Sequence, residues 1–151
     1  MESIDQNQAA RVWQRVRGQG PEDDGQSLET LITAEWMAAS GYLQLSRRVG
    51  SREAAMLRRM AEQEQAHCAI LKGMYTMMTG KRFTISPGKS PQGTVEELLR
   101  KCYAGELKSI AAYEARSRDE EFGAVFAGMR DQEKDHARWV LELLGMMQRS
   151  V

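Results

Sequence analysis

The sequence predicts an all-α protein built as a bundle of four long helices. Apolar residues recur with a period of about 3.6 in four extended segments. Only three prolines interrupt the 151 residues. The 42% hydrophobic and 28% charged composition, rich in Ala, Leu, Met, Glu and Arg, is that of a helical globular protein. A chain of this length supports one domain with a substantial core.

The elements follow in order. Gln8 to Arg17 carries Val12, Trp13 and Val16 at helical spacing and runs into the breaker GQGPEDDGQ, so residues 1–26 read as a short leading helix and linker ahead of a bundle spanning 27–151. The leading helix is expected to cover an apolar face and to serve as a dimer contact around Trp13. The first long helix is expected over Ser27–Val49, with Ser27 placed as a loose N-cap. Gly50 and Ser51 make a break so short that the second helix, Arg52–Thr79, must fold back antiparallel. Gly80 to Gly93 holds two of the three prolines and no helical pattern, and it is the main connector. Thr94, with Glu97 three residues on, reads as a capping box opening the third helix to about Arg118. After DEEFG the fourth helix runs from about Ala124 to Met147.

The connector's length selects the topology. A simple up-and-down bundle needs only a few residues between its second and third helices. If the third helix instead runs parallel to the second, the chain must return roughly 40 Å, and an extended connector of this size reaches about 46 Å. Two antiparallel hairpins joined by a long crossover are therefore expected.

Composition also excludes function classes. Lys plus Arg and Asp plus Glu both number 21, so no net field draws nucleic acid or an anionic membrane. The start lacks an apolar signal core and no later segment is apolar enough to span a bilayer, which leads us to expect a cytoplasmic protein. Cys68 and Cys102 lie far apart with no CxxC pairing, against a disulfide framework, a rubredoxin or a zinc ribbon. On parallel helices they would also stand about 12 Å apart along the axis, too far for a disulfide.

Ionisable residues fall on helix faces that should be apolar. Glu64 stands among Leu57, Met60, Ala61, Cys68 and Leu71, with His67 three residues on. Glu133 repeats this among Phe126, Met129, Ala137 and Val140, with His136 three residues on. Both histidines of the chain thus lie in Glu-x-x-His. The first helix offers Glu35 with Tyr42 seven residues later, and the third offers Glu106 with Tyr113 seven residues later. Counted from the turns, Glu35 and Glu64 stand level, as do Glu106 and Glu133. Four buried carboxylates without partners would cost several kcal/mol apiece or take up protons, and no matching set of inward lysines or arginines is evident. Two divalent cations would balance them. One Glu from each of two helices and Glu-x-x-His from each of the other two is the ligand set of carboxylate di-iron and di-manganese bundles. Mixed imidazole and carboxylate ligands suit iron, with manganese possible, and six side chains shared by two metals leave sites open for dioxygen or peroxide.

Plainer readings stand beside this one. A lone Glu-x-x-His arises readily by chance; two copies that use both histidines and match two inward glutamates do not. Tyr42 and Tyr113 read equally as hydrogen-bond donors to the ligands and as simple core. The methionines read as core filling. Glu29, Glu62 and Glu114 read as solvated, with Glu114 the rival to Glu106.

Glu35, EQAH at 64–67, Glu106 and EKDH at 133–136, set over residues 27–147, resemble the ferritin-like superfamily and, within it, the rubrerythrin-like proteins. The resemblance implies a ferritin-like bundle with redox chemistry at a di-iron centre, either reduction of hydrogen peroxide or oxidation of ferrous iron by dioxygen. Two departures qualify what it implies. The rubredoxin domain with paired CxxC motifs is missing, so electrons would come from a separate donor protein. Ser109 stands where peroxide-reducing members tend to carry a further glutamate, one turn beyond the third-helix ligand. The expected protein is a homodimeric oxidoreductase with Glu35, Glu64, His67, Glu106, Glu133 and His136 as metal ligands and Glu64 and Glu133 as bridges. The alternatives are an iron-oxidising storage subunit and a metal-free helical module.

Overall fold

The computed structural model describes residues 27–149. The expected leading helix, its dimer contact and the residue 26/27 boundary fall outside that range. Four helices and no strand occur among the described residues: α1 Leu28–Ser46, α2 Ser51–Thr79, α3 Val95–Arg116 and α4 Gly123–Arg149. Ser27 caps α1, its Oγ accepting from the Thr30 N–H at 3.2 Å. The capping box of α3 is complete: Thr94 Oγ1 accepts from the Glu97 N–H, and Glu97 Oε2 accepts from the Thr94 N–H. Each satisfies an amide that the helix start leaves without a partner.

α2 and α4 each begin one residue earlier than expected and α4 ends two residues later, and two further boundaries differ for a local reason. α1 stops at Ser46 rather than Val49, because the Arg47 and Arg48 amides bond three residues back to Gln44 and Leu45, tightening the last turn so that it cannot propagate. α3 stops at Arg116, where the Ser117 hydroxyl donates to the Glu114 carbonyl at 2.7 Å and Asp119 Oδ1 gathers the Glu121 and Phe122 amides. That turn also fixes the start of α4. A Cβ on Gly123 would lie 2.4 Å from the Ser117 carbonyl oxygen, so only glycine closes it.

Two apolar clusters show how the hairpins stack. One joins Leu28, Leu31 and Ile32 at the start of α1 to Leu71 and Met74 late in α2, Tyr113 late in α3, and Phe126 and Met129 early in α4. The other joins Tyr42 and Leu45 late in α1 to Leu57 and Met60 early in α2, Leu99 early in α3, and Val140 and Leu143 late in α4. Hence α2 and α3 run parallel and the connector crosses the length of the bundle, as its size requires. Its beginning packs Phe83 and Ile85 against the first cluster, and its end reaches the other pole, where Arg48 donates to the Gly93 carbonyl at 3.0 Å. Gly80 starts the crossing with φ of 69°, a left-handed turn that glycine adopts without steric cost. Each buried Leu or Phe contributes about 2 kcal/mol of burial. Between the two clusters lies a layer that is not apolar at all.

Candidate metal centre

Glu35, Glu64, His67, Glu106, Glu133 and His136 form that middle layer, each with 3% or less of its surface exposed. All six residues expected from the sequence meet there. Their donor atoms fall into two overlapping groups, Glu35, Glu64, His67 and Glu133 in one and Glu64, Glu106, Glu133 and His136 in the other, with atoms in each group within 4.8 Å of one another. Glu64 and Glu133 belong to both. The rivals lie elsewhere: Glu114 is exposed and pairs with Arg130 at 2.6 Å, Glu62 is exposed, and Glu29 is half-buried in the first turn of α1. Cys68 and Cys102 form no disulfide and pack with opposite apolar clusters.

The helices reach across to complete one another. His67 Nδ1 lies 2.7 Å from Glu133 Oε1 and 3.5 Å from Glu35 Oε2, while His136 Nδ1 contacts Glu64 Oε1 and lies 3.7 Å from Glu106. Tyr42 of α1 donates its hydroxyl hydrogen to Glu106 of α3, and Tyr113 of α3 donates to Glu35 of α1. Both tyrosines are thus partners of the cluster carboxylates as well as core residues. The reciprocal pairing is possible because α1 and α3 are antiparallel, so that seven residues forward on one helix meet seven residues back on the other.

Two residues escaped the sequence reading. Gln132 accepts from Nε2 of His67, and Gln63 accepts from Nε2 of His136 at 2.6 Å. An amide oxygen can only accept, so in each neutral ring Nε2 carries the hydrogen and Nδ1 turns a lone pair toward the carboxylates. Each glutamine immediately precedes a glutamate of the cluster, and the fuller repeat Gln-Glu-x-x-His was the available signal.

Electrostatics mark the layer as short of positive charge. Burial, reinforced by Glu35 and Glu133, holds the Glu64 carboxyl well above the usual range. Burial and the neighbouring Glu106 do the same to Glu133 against the opposing pull of His67. Burial alone would lower His67, but the Glu133 and Glu35 carboxylates outweigh it and raise the ring to about 10. Glu106 moves the other way, since its neighbours Glu133, His136 and Tyr42 overcome its burial. Burial and their carboxylate partners push both tyrosine hydroxyls well above their ordinary value. Arg116 is buried too, bonded to the Ala112 carbonyl, but ten residues beyond Glu106 along α3 it stands about 15 Å away along the axis.

Among the described residues, five buried polar side-chain atoms form no hydrogen bond: Glu35 Oε2, Glu64 Oε2, His67 Nδ1, Glu106 Oε2 and Glu133 Oε1. All belong to the expected ligands, and an unsatisfied buried carboxylate oxygen costs too much to be incidental. His67 Nδ1 and Glu133 Oε1 stand 2.7 Å apart without the geometry of a hydrogen bond. The donor set could therefore hold a metal ion. No family model, curated protein or solved structure matches this chain. The reading of function rests on this chain's own chemistry.

Proposed function

We propose that the chain is a di-iron oxidoreductase of rubrerythrin type, with manganese the alternative metal, that reduces hydrogen peroxide or activates dioxygen. The observation that carries the reading is the set of five orphaned donor atoms on four helices, converging in two groups that share Glu64 and Glu133. Glu35 and His67 would hold one ion, Glu106 and His136 the other, and Glu64 and Glu133 would bridge. The metal pair would supply open coordination sites and reversible one-electron change.

The protein's own groups prepare the site. Tyr42 and Tyr113 fix one oxygen of Glu106 and Glu35, leaving the other oxygen of each free. Gln63 and Gln132 fix the ring orientation and the tautomer that presents Nδ1. Protons held by Glu64, Glu133 and His67 must leave as cations enter, so uptake releases acid. The two apolar clusters close the layer above and below, and low polarity there strengthens each charge interaction. Electrons would come from a separate donor protein. A homodimer is also proposed, supported by the exposed apolar residues Trp36, Ile70 and Leu141. No helix among the described residues is long and apolar enough to cross a membrane.

Elemental analysis of protein purified without chelator, beside a Glu64→Ala, His136→Ala double variant, tests the centre. About two irons or manganeses per chain, lost in the variant, are expected from the shared ligand set, with peroxide turnover the next assay. No metal after anaerobic loading with ferrous iron would remove the enzymatic reading.

A further inference from the structure

A groove of about 450 Å³ opens between α1 and α3 and reaches the polar layer. Buried Tyr42, Glu106 and Glu133 line its middle, exposed Arg48 and Lys101 one end, and Ala34 and Ser109 the other. Leu45, Leu98 and Cys102 lie along it. Its volume is that of a small-molecule site.

Two glycines keep it open. Gly41 of α1 and Gly105 of α3 both line the groove. Neither has a positive φ, so no backbone conformation demands glycine there. A Cβ added to either would meet no atom within 4 Å, so no neighbour excludes a side chain. Glycine inside a helix weakens it relative to alanine, and at these positions what it leaves is empty space in front of the cluster. Ser109, another small residue, lines the same wall.

Charge in the groove is sorted by depth. Among its lining residues the cations, Arg48 and Lys101, are exposed at one end, and the carboxylates, Glu106 and Glu133, are buried farther in. The Arg48 guanidinium is anchored by its bond to the Gly93 carbonyl. From Arg48 to Tyr42 and from Lys101 to Glu106 the helices rise about 9 Å and 8 Å, a distance bordered by Leu45 and Cys102. Such a path takes an anion at its mouth and a slender apolar chain behind it, because the positively charged side chains that line it stand at the exposed end.

We propose that this groove binds a medium-chain aliphatic carboxylate, with its head group between Arg48 and Lys101 and its tail ending against Tyr42 and Glu106. The proposal adds an organic ligand to the metal-centre reading, and it rests on that reading only for the tail's placement beside a reactive site. No chemical step is assigned to it.

Isothermal titration of the full chain with decanoate, decanol and decylamine tests the groove, with metal content measured separately on the same samples. The expected result is one decanoate per chain, bound about tenfold more tightly than decanol or decylamine. Gly41→Leu with Gly105→Leu should weaken decanoate by about tenfold or more while raising helix propensity, so that circular dichroism confirms a folded variant. Arg48→Ala with Lys101→Ala should reduce decanoate to the affinity of decanol and leave decanol unchanged. Equal binding of all three compounds, undiminished binding in the folded leucine variant, or no binding to the parent protein would overturn the proposal. Decanoate binding without metal uptake would keep the groove and remove the metal centre; metal uptake without decanoate binding would do the reverse.

Discussion

His67 and His136 take their orientation from residues on the facing helix, and this makes the glutamines testable one at a time. Gln132→Ala removes the acceptor at His67 Nε2 and should weaken metal binding about 10- to 100-fold with helix content unchanged, as read by competition with a chelator of known affinity. Tyr42→Phe leaves Glu106 Oε1 without its donor and should cost about 2 kcal/mol in urea unfolding of the metal-free protein. The six cluster residues were legible because charge on an apolar helix face is costly and therefore conspicuous. The glutamines were not, because one residue before the inward glutamate is a rotation of about 100°, which places Gln63 and Gln132 toward solvent on their own helices. Only the neighbouring helix brings an imidazole to each, and no single helix's pattern shows that. The tyrosines lay between these cases: their inward face was visible, but their partners across α1 and α3 depend on antiparallel register.

Helix ends and the crossover are properties of the elements. Capping chemistry is local, so Ser27 and the Thr94 and Glu97 pair were readable in advance. The premature end of α1 at Ser46 was not, since Arg47, Arg48 and Val49 continue an acceptable helical pattern and the tightened turn is imposed by the reversal into α2. Gly123→Ala forces a Cβ onto the Ser117 carbonyl and should lower stability by about 2 kcal/mol, whereas Gly73→Ala, unobstructed inside α2, should raise it by about 1 kcal/mol; thermal unfolding of both variants makes the comparison. Deleting residues 84–90 leaves a connector reaching about 24 Å, short of the roughly 40 Å crossing. That variant should lose the compact monomeric fold, seen as reduced helicity or as a swapped oligomer in size-exclusion chromatography.

At the scale of the whole molecule, the buried layer sets how stability depends on pH. Glu64 and Glu133 bind protons more tightly folded than unfolded, so their contribution is fully present below the unfolded value of 4.5 and is lost as pH rises through their raised folded values. His67 acts in the same direction, with its contribution present below 6.5 and lost between 6.5 and about 10. Glu106 opposes them, its contribution present above 4.5 and lost as pH falls through its lowered value. The metal-free protein should therefore lose stability on going from mildly acid to alkaline solution, whereas metal binding strengthens as those protons leave. Melting temperatures with and without ferrous iron should diverge as pH rises, and Glu64→Gln with Glu133→Gln should flatten the metal-free curve. The reciprocal clasps have one more consequence. α1 with α2 and α3 with α4 pack more extensively within each hairpin than between hairpins, and the tyrosine clasps and the glutamine-held imidazoles cross the seam between them. Without cations the two hairpins should open to amide exchange as separate bodies, and with cations they should exchange as a single cooperative unit.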